Sequence, residues 1–175
     1  MARQMFTIVV ENQGAVIASF TELEKAVTDF SSAWPKVIAK FYEIERELFA
    51  SEGGSGAKGR WASLTAKYSA WKARKKPGAP IMTLSGDLAR SLTGGAGSIT
   101  REDPMFLEVG AVSKYGKIHM HDWTATGGTI PRLVAARPVI SLTKEQQQEL
   151  IAVMLREFAN KVRTWRLSTY TVRPS

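Results

Sequence analysis

Residues 98–109, SITREDPMFLEV, decide the fold class of this chain, because they predict two antiparallel strands in a sequence whose flanks are helical. Polar and apolar side chains alternate over Ser98–Arg101 and again over Met105–Val109, which is the period of a β-strand. The intervening Glu102–Asp103–Pro104 is a typical turn sequence. The chain is therefore predicted to be α+β, with helices packed on a small antiparallel β-sheet.

On the N-terminal side of this hairpin, apolar residues recur at spacings of three and four, which lines one face of a helix. The stripe consists of Leu23, Val27, Phe30, Trp34, Val37, Ile38, Phe41, Ile44 and Leu48. Pro35 interrupts it, and because proline removes a helix hydrogen bond, we expect a kink or two helices meeting near Ser31–Pro35. The stripe favours core packing, and a partner interface is the alternative. Ahead of it, Met5–Val10 predicts a strand.

Between the long helical region and the hairpin, the pattern breaks into short pieces. Residues 52–60 are rich in glycine, which predicts a flexible loop. A short basic helix is expected over Leu64–Lys76. A second short helix is expected over Leu84–Leu92, with Ser85 or Asp87 near its start.

On the C-terminal side of the hairpin, Thr143 begins the clearest helix of the chain. It is a good N-cap with Gln146 three residues later, and apolar residues follow at helical spacing. Tyr115–Met120 fits a strand or a helix. Residues 163–175 are predicted to form a final strand or a clasping arm. These elements together predict one domain over the full sequence.

Length and composition limit the classes of function. The chain has 175 residues and a mass of 19.3 kDa, which suits one domain. It has no cysteine, which excludes disulfides, thiolate catalysis and cysteine zinc sites. No run approaches the ~20 apolar residues that a membrane helix needs, and the N-terminus lacks the apolar stretch of a signal peptide. We therefore expect no membrane contact and a protein that stays in the cytoplasm of the cell that makes it.

Signatures of catalysis or cofactor binding are few. Residues 54–59 have the glycine spacing of a phosphate loop, but Arg60 follows where that motif requires lysine. His119, His121 and Asp122 form a cluster of possible metal ligands. On a strand the two histidines would share one face, but the chain has no third histidine to complete a site. We therefore predict no enzymatic activity, no metal and no cofactor.

Positive charge is concentrated in the middle of the chain. Residues 1–52 carry 5 basic and 8 acidic side chains, whereas residues 53–100 carry 8 basic and 1 acidic. Trp61, Tyr68 and Trp71 are interleaved with these cations. Either the aromatic side chains pack inward and the cations face water, or the segment contacts DNA or the acidic face of a neighbouring protein. The candidate contact residues are Lys58, Arg60, Lys67, Lys72, Arg74, Lys75 and Lys76.

Short motifs follow one another in a defined order from Trp61 to Phe158. They comprise Trp61, Leu64, Tyr68 and Lys72; Leu84, Ser85, Gly86, Leu88, Ser91 and Leu92; Tyr115, Ile118 and His119; Gly127 and Gly128; and Ile130, Pro131, Ala136, Arg137 and Pro138. In order and spacing this series resembles the phage virion morphogenesis family, the tail-completion proteins of Mu-like and related tailed phages.

The resemblance implies a structural virion protein that completes or terminates the tail. Such a protein would form a hexameric ring at the head–tail junction, through which DNA passes. Its partners would be copies of itself, the tail tube protein and the connector proteins of the neck, with nonspecific contact to passing DNA. It would be assembled in the host cytoplasm and end in the tail or neck of the virion. A head-side connector or stopper protein is one alternative, and the charge alone suggests another, a nonspecific DNA-binding accessory protein.

A ring of identical subunits joins one face of each subunit to a different face of the next. The candidate faces are the edge of the predicted hairpin and the β-rich C-terminal segment, because either could add a strand to a neighbour. Their residues are Met105, Leu107, Val109, Trp165, Leu167, Tyr170 and Val172.

Overall fold

Helices and two short hairpins alternate along the residues that the computed structural model describes, 13–112, 114–125 and 132–163. The elements are α1 (Gln13–Thr28), α2 (Trp34–Ala50), α3 (Ala66–Lys75), α4 (Asp87–Leu92), β1 (Ser98–Asp103), β2 (Phe106–Ala111), α5 (Lys114–His119), β3 (Trp123–Ala125), β4 (Arg132–Val134) and α6 (Lys144–Arg163). They form a single domain, and the predicted α+β class is confirmed. Instead of one sheet, the described residues contain two separate antiparallel pairs, β1–β2 and β3–β4.

The break between the first two helices lies where the proline predicts it. Residues 29–33 separate α1 from α2, and Pro35 lies in the first turn of α2, where its missing N–H is not needed. In the connecting turn, Ser31 N donates a hydrogen bond to Asp29 Oδ1 at 2.9 Å. The prediction of two helices meeting here is confirmed, and α1 begins well before Leu23, the first residue of the apolar stripe.

The predicted hairpin is also confirmed, but its turn is shifted: Glu102 and Asp103, predicted to lie in the turn, pair in β1, and Met105, predicted to begin the second strand, lies in the turn. Strands β1 and β2 pair along their whole length and leave Pro104 and Met105 as the turn. Trp34 Nε1 donates to Asp103 O at 2.8 Å, and Phe30 N donates to Pro104 O at 2.7 Å. The junction between α1 and α2 therefore holds the tip of the hairpin.

Helix α6 lies along α2. Lys36 Nζ lies 2.6 Å from Glu157 Oε1, and Lys40 Nζ lies 3.0 Å from Glu149 Oε2. Lys40 follows Lys36 on α2, whereas its partner Glu149 precedes Glu157 on α6. The two helices therefore run antiparallel. Both ion pairs are at least partly exposed, so each adds no more than about 1 kcal/mol to stability.

The start of α6 is the capping box that the sequence predicts. Thr143 N donates to Gln146 Oε1 at 2.8 Å, and Gln146 N donates to Thr143 Oγ1 at 3.1 Å. The side chain of Gln146 also reaches the glycine-rich loop, where its Nε2 donates to Ser55 O at 3.1 Å. Ala57 N donates to Ser141 O at 2.9 Å. These bonds hold the loop against the segment that leads into α6, while its predicted flexibility stays a prediction.

The core lies between α2, α4 and the segment that precedes α6. Its buried members are Leu48, Phe49, Trp61, Leu88, Leu92 and Val139. Along the apolar stripe, the α2 residues Trp34, Phe41, Ile44 and Leu48 are buried, which confirms core packing there. Val27 on α1 is exposed, so the stripe does not continue into the core on that helix.

Some predicted elements differ from the structure in their bounds, and others fall on residues that the structure does not describe. The predicted strand Met5–Val10 and residues 164–175 of the predicted C-terminal arm lie outside them, and Arg163 belongs to α6 instead of that arm. Tyr115–Met120, which fitted a strand or a helix, is mostly helix α5. Across residues 13–112, 114–125 and 132–163, every helix is too short or too polar to cross a bilayer.

Candidate functional site

Trp61 joins three parts of the chain. It is buried, and its ring meets Phe49 edge-on with the centroids 5.4 Å apart. Its Nε1 donates to Pro138 O at 2.9 Å, and its backbone N donates to Glu52 O at 2.8 Å. Gly53 has a φ of +88°, and a Cβ there would lie 2.6 Å from Trp61 Cδ1, so the close approach requires glycine. Trp61 is therefore a core anchor that fixes the end of the glycine-rich loop.

Arg137 binds the residues that follow Trp61. Its Nε donates to Ala62 O at 2.8 Å and its Nη2 donates to Ser63 O at 3.1 Å. Its backbone N donates to His119 O at 2.8 Å. Burial lowers the pKa of the Arg137 guanidinium, but arginine remains charged in proteins. The guanidinium thus ties main-chain carbonyls together, and we name this group the motif clasp: Trp61, Ala62, Ser63, Arg137 and Pro138.

The serine–glycine motif forms the start of α4. Gly86 has a φ of +84°, a left-handed conformation that favours glycine. Ser85 Oγ accepts a hydrogen bond from the first backbone N–H of α4 at 3.3 Å, which confirms the predicted start of this helix. Leu88 is buried in the core. Of the remaining motif residues, Tyr115 lies in α5, and Pro131 lies outside the described residues.

The possible metal ligands are not arranged as a strand would place them. His119 ends α5 and His121 lies in the bend that follows. Asp122 Oδ1 accepts a hydrogen bond from Ala136 N at 2.6 Å, so this carboxylate holds the backbone. His119 Nδ1 is buried and has no hydrogen-bond partner within residues 13–112, 114–125 and 132–163. Burial, together with the charge of Arg137, lowers the pKa of His119. Within the described ranges, no group of three or more His, Asp or Glu residues could hold a metal ion.

Most of the predicted contact cations lie on the surface. The exposed ones, which we name the basic surface, are Lys58, Arg60, Lys67, Arg74, Lys75 and Lys76. Elsewhere, ion pairs engage Lys25, Lys36, Lys40, Arg90, Arg101 and Lys161. In the part of the chain that the structure describes, no cation of the basic surface forms such a pair. The basic surface therefore presents charge that the fold itself does not neutralise.

Helix α3 reverses the arrangement expected for its side chains. Tyr68 and Trp71 are 41% and 38% exposed, and their rings stack with centroids 5.3 Å apart at an angle of 24°. Lys72 is buried, its Nζ donates to Pro80 O, and burial lowers its pKa. Of the three aromatic residues that could pack inward, Trp61 does so, whereas Tyr68 and Trp71 do not. Lys72, a candidate contact residue, is bound within the fold, and its contact with DNA or an acidic partner stays a prediction. Lys72 turns inward because the loop beneath α3 offers a main-chain carbonyl, which suits an amine better than an aromatic ring.

A cavity of about 420 Å³ opens beside the motif clasp. Lys58, Arg60, His121 and Asp122 contribute to its lining, and Trp61 and Pro138 of the clasp border it. Two cations and one carboxylate therefore border this opening, which gives its rim a net positive charge. The motif clasp thus positions two cations of the basic surface around a shared opening.

Sequence reasoning missed one buried ionisable residue. Glu45 on α2 is 0% exposed, and among the described residues neither carboxylate oxygen has a hydrogen-bond partner. Burial raises its pKa to about 8, so the side chain is mostly protonated at neutral pH. The sequence could have predicted this burial, because Glu45 follows Phe41 by four residues and precedes Leu48 by three. This spacing places Glu45 on the same face of the helix as the apolar stripe.

The predicted subunit interface is only partly within the described residues. Met105 is exposed at the hairpin turn, and Leu107 and Val109 are half-buried on β2. Among the described strands, β2 pairs with β1 alone, so its other edge carries no strand there. The remaining interface candidates, Trp165, Leu167, Tyr170 and Val172, lie outside the described residues.

Comparison with known proteins places the chain in a family. The sequence profile of the phage virion morphogenesis family matches residues 12–159. This match includes α1 and α2, which precede the first motif at Trp61, and it ends within α6. No curated protein and no solved structure matched the chain. Because the profile spans most of the sequence, the chain belongs to the phage virion morphogenesis family.

Proposed function

We propose that this protein is a structural component of a tailed phage that completes or terminates the tail. In this role it forms a hexameric ring at the head–tail junction, and the phage DNA passes through the ring. Family membership over residues 12–159 carries the proposal, because it supports a role in building the virion.

The side chains of the motif residues bind the main chain, which supports a structural role over catalysis. In the motif clasp, Trp61 and Arg137 donate to main-chain carbonyls. The carboxylate of Asp122 likewise accepts from a backbone N–H. A catalytic group needs a geometry in which it can reach a reacting atom, and these side chains are already bound to the fold. We accordingly propose that the protein is not an enzyme and uses no cofactor.

Ring assembly requires two different complementary faces on each subunit. The β2 edge that no other described strand covers remains one candidate face, because it could extend a neighbour's sheet. The segment beyond α6, which the sequence predicts to be β-rich, remains the other. The basic surface would face either the DNA or an acidic neighbour in the tail tube or neck. Phosphate contacts of this kind would be independent of base sequence, as a DNA passage requires.

Two alternatives remain. A head-side connector or stopper would also be a neck protein through which DNA passes. A nonspecific DNA-binding accessory protein is favoured by one observation, the exposed cations of the basic surface, which form no ion pair with any residue that the structure describes. Such a protein would bind duplex DNA with an affinity that falls steeply as salt rises.

Electron microscopy of a phage that lacks this gene tests the proposal. Overlong tail tubes beside full heads would support termination of tail growth. Tails of normal length that lie unattached beside full heads would support completion of the junction, or the connector alternative. Intact infectious particles would overturn the structural role, and a plasmid copy of the gene should restore normal particles as the control.

A further inference from the structure

Helix α3 buries almost none of its side chains. Within Ala66–Lys75, every residue except Lys72 is exposed. Thr65 caps its start, with Oγ1 accepting from Tyr68 N at 3.4 Å, and Lys72 binds Pro80 O at its side. A helix of this length is not stable alone in water, so local bonds hold α3 in place with its outer faces uncovered.

The exposed side chains of α3 are of two kinds. Tyr68 and Trp71 form a stacked aromatic pair that is only partly covered. Lys67, Arg74 and Lys75 are exposed cations of the basic surface. Tyrosine, tryptophan and arginine are the residue types that contribute most energy to protein interfaces.

The surrounding segment fixes the sign of the charge on any partner. No acidic residue occurs over residues 53–86, so every charge that α3 and its flanking loops present is positive. Glu52 is the nearest acidic residue before this segment, and it is engaged within the fold, where its Oε1 accepts from Ile81 N at 2.8 Å. Charge complementarity therefore requires an acidic partner.

We propose that α3 docks onto an acidic protein surface that has an apolar strip at its centre. The stacked Tyr68 and Trp71 would bury against the apolar strip. Lys67, Arg74 and Lys75 would pair with carboxylates around it. This inference deepens the proposed function and rests on it for the identity of the partner, which would be a tail or neck protein.

The aromatic pair decides between a protein and duplex DNA as the partner. The outside of a duplex offers phosphates and sugars, which attract the cations but give two large rings no apolar surface to bury. Because Tyr68 and Trp71 stack on each other, their inner faces are not open to a base. A protein surface offers both carboxylates and apolar side chains, and burying aromatic rings is strongly favourable.

Binding of three defined probes to the full-length protein tests this inference. The probes are a helical peptide of glutamate and leucine repeats, polyglutamate of equal length, and a short DNA duplex, each titrated at low and moderate salt. We expect the glutamate–leucine peptide to bind at least about tenfold more tightly than polyglutamate, since about 1.4 kcal/mol of ring burial suffices for that ratio. Y68A/W71A should remove this preference, and K67E/R74E should weaken both peptides.

Exposed residues elsewhere provide the matched controls. Phe106→Ala removes an exposed aromatic side chain on β2, and Arg156→Glu reverses an exposed charge on α6. Neither should change binding of any probe. Duplex DNA binding more tightly than both peptides, or a peptide preference that survives Y68A/W71A, would overturn the inference. Those results leave the microscopy of the gene-deleted phage unaffected, so a failure here is distinguishable from a failure of the proposed function.

Discussion

Replacing Glu45 by methionine is expected to stabilise the protein at neutral pH and to remove much of the pH dependence of its stability. Glu45 is completely buried, and neither of its oxygens has a hydrogen-bond partner in the part of the chain that the structure describes. Methionine has a similar volume and no charge, so it can occupy the same space without the cost of ionisation.

The magnitude follows from the pKa of Glu45 in the folded and unfolded chain. Its pKa is 4.5 as an ordinary side chain and about 8 in the folded protein. Between pH 4.5 and about pH 8 the folded state therefore keeps a proton on Glu45 that the unfolded state has released. The contribution of Glu45 to stability is greatest below pH 4.5 and decreases as the pH rises toward 8. Each pH unit in this window costs about 1.4 kcal/mol, which gives roughly 3 kcal/mol between pH 5 and pH 7.

Urea unfolding, followed by tryptophan fluorescence at several pH values from about 5 to 8, measures this effect. His119 has the opposite sign, because its lowered pKa makes stability fall as the pH drops through its ordinary value of 6.5. The informative quantity is therefore the difference between Glu45→Met and the wild type at each pH. Glu47→Gln, which changes an exposed carboxylate on the same helix, is the matched control.

The stabilisation by Glu45→Met should grow with pH up to about pH 8, and the Glu47→Gln difference should stay flat. A Glu45→Met difference that is constant over this range would refute the reasoning, because it would mean that Glu45 does not titrate differently in the folded chain.

Three further substitutions test the contacts that build the fold, each by the free energy of urea unfolding. Trp61→Phe removes the indole N–H that donates to Pro138 O and should lower the free energy of unfolding by about 2 kcal/mol. An unchanged free energy of unfolding would mean that a water molecule replaces the indole N–H as the donor. Arg137→Lys cannot bind both carbonyls of the motif clasp and should cost about 1–2 kcal/mol, whereas full stability would show that charge alone suffices there. Thr143→Ala removes the N-cap of α6 and should lower the free energy of unfolding by about 1 kcal/mol. Lys144→Ala, at the neighbouring position, is the control and should leave this free energy unchanged.

Local patterns in the sequence predicted the elements that depend on local chemistry. The capping box at Thr143, the helix break at Pro35 and the hairpin from Ser98 are each determined by neighbouring residues, and all three are confirmed. The family was also readable from ordered motifs, although those motifs began at Trp61 and the family match extends to residue 12.

What the sequence did not predict depends on what each helix meets in space. The aromatic residues of α3 lie at helical spacing, which is equally compatible with a buried or an exposed stripe. The fold places Pro80 O beneath the helix, and this acceptor draws in the amine of Lys72. The hydrogen bonds from Arg137 to Ala62 and Ser63 join residues more than 70 positions apart, and no local pattern encodes them.

The most direct test of the central claim is to measure this protein in purified, infectious particles by quantitative mass spectrometry. The proposed hexameric ring at the head–tail junction predicts the copy number of a single hexamer relative to the major tail protein. Labelling with a specific antibody should place it at one end of the tail. Its complete absence from infectious particles, with the protein still abundant in the lysate, would contradict the claim that it is a part of the virion.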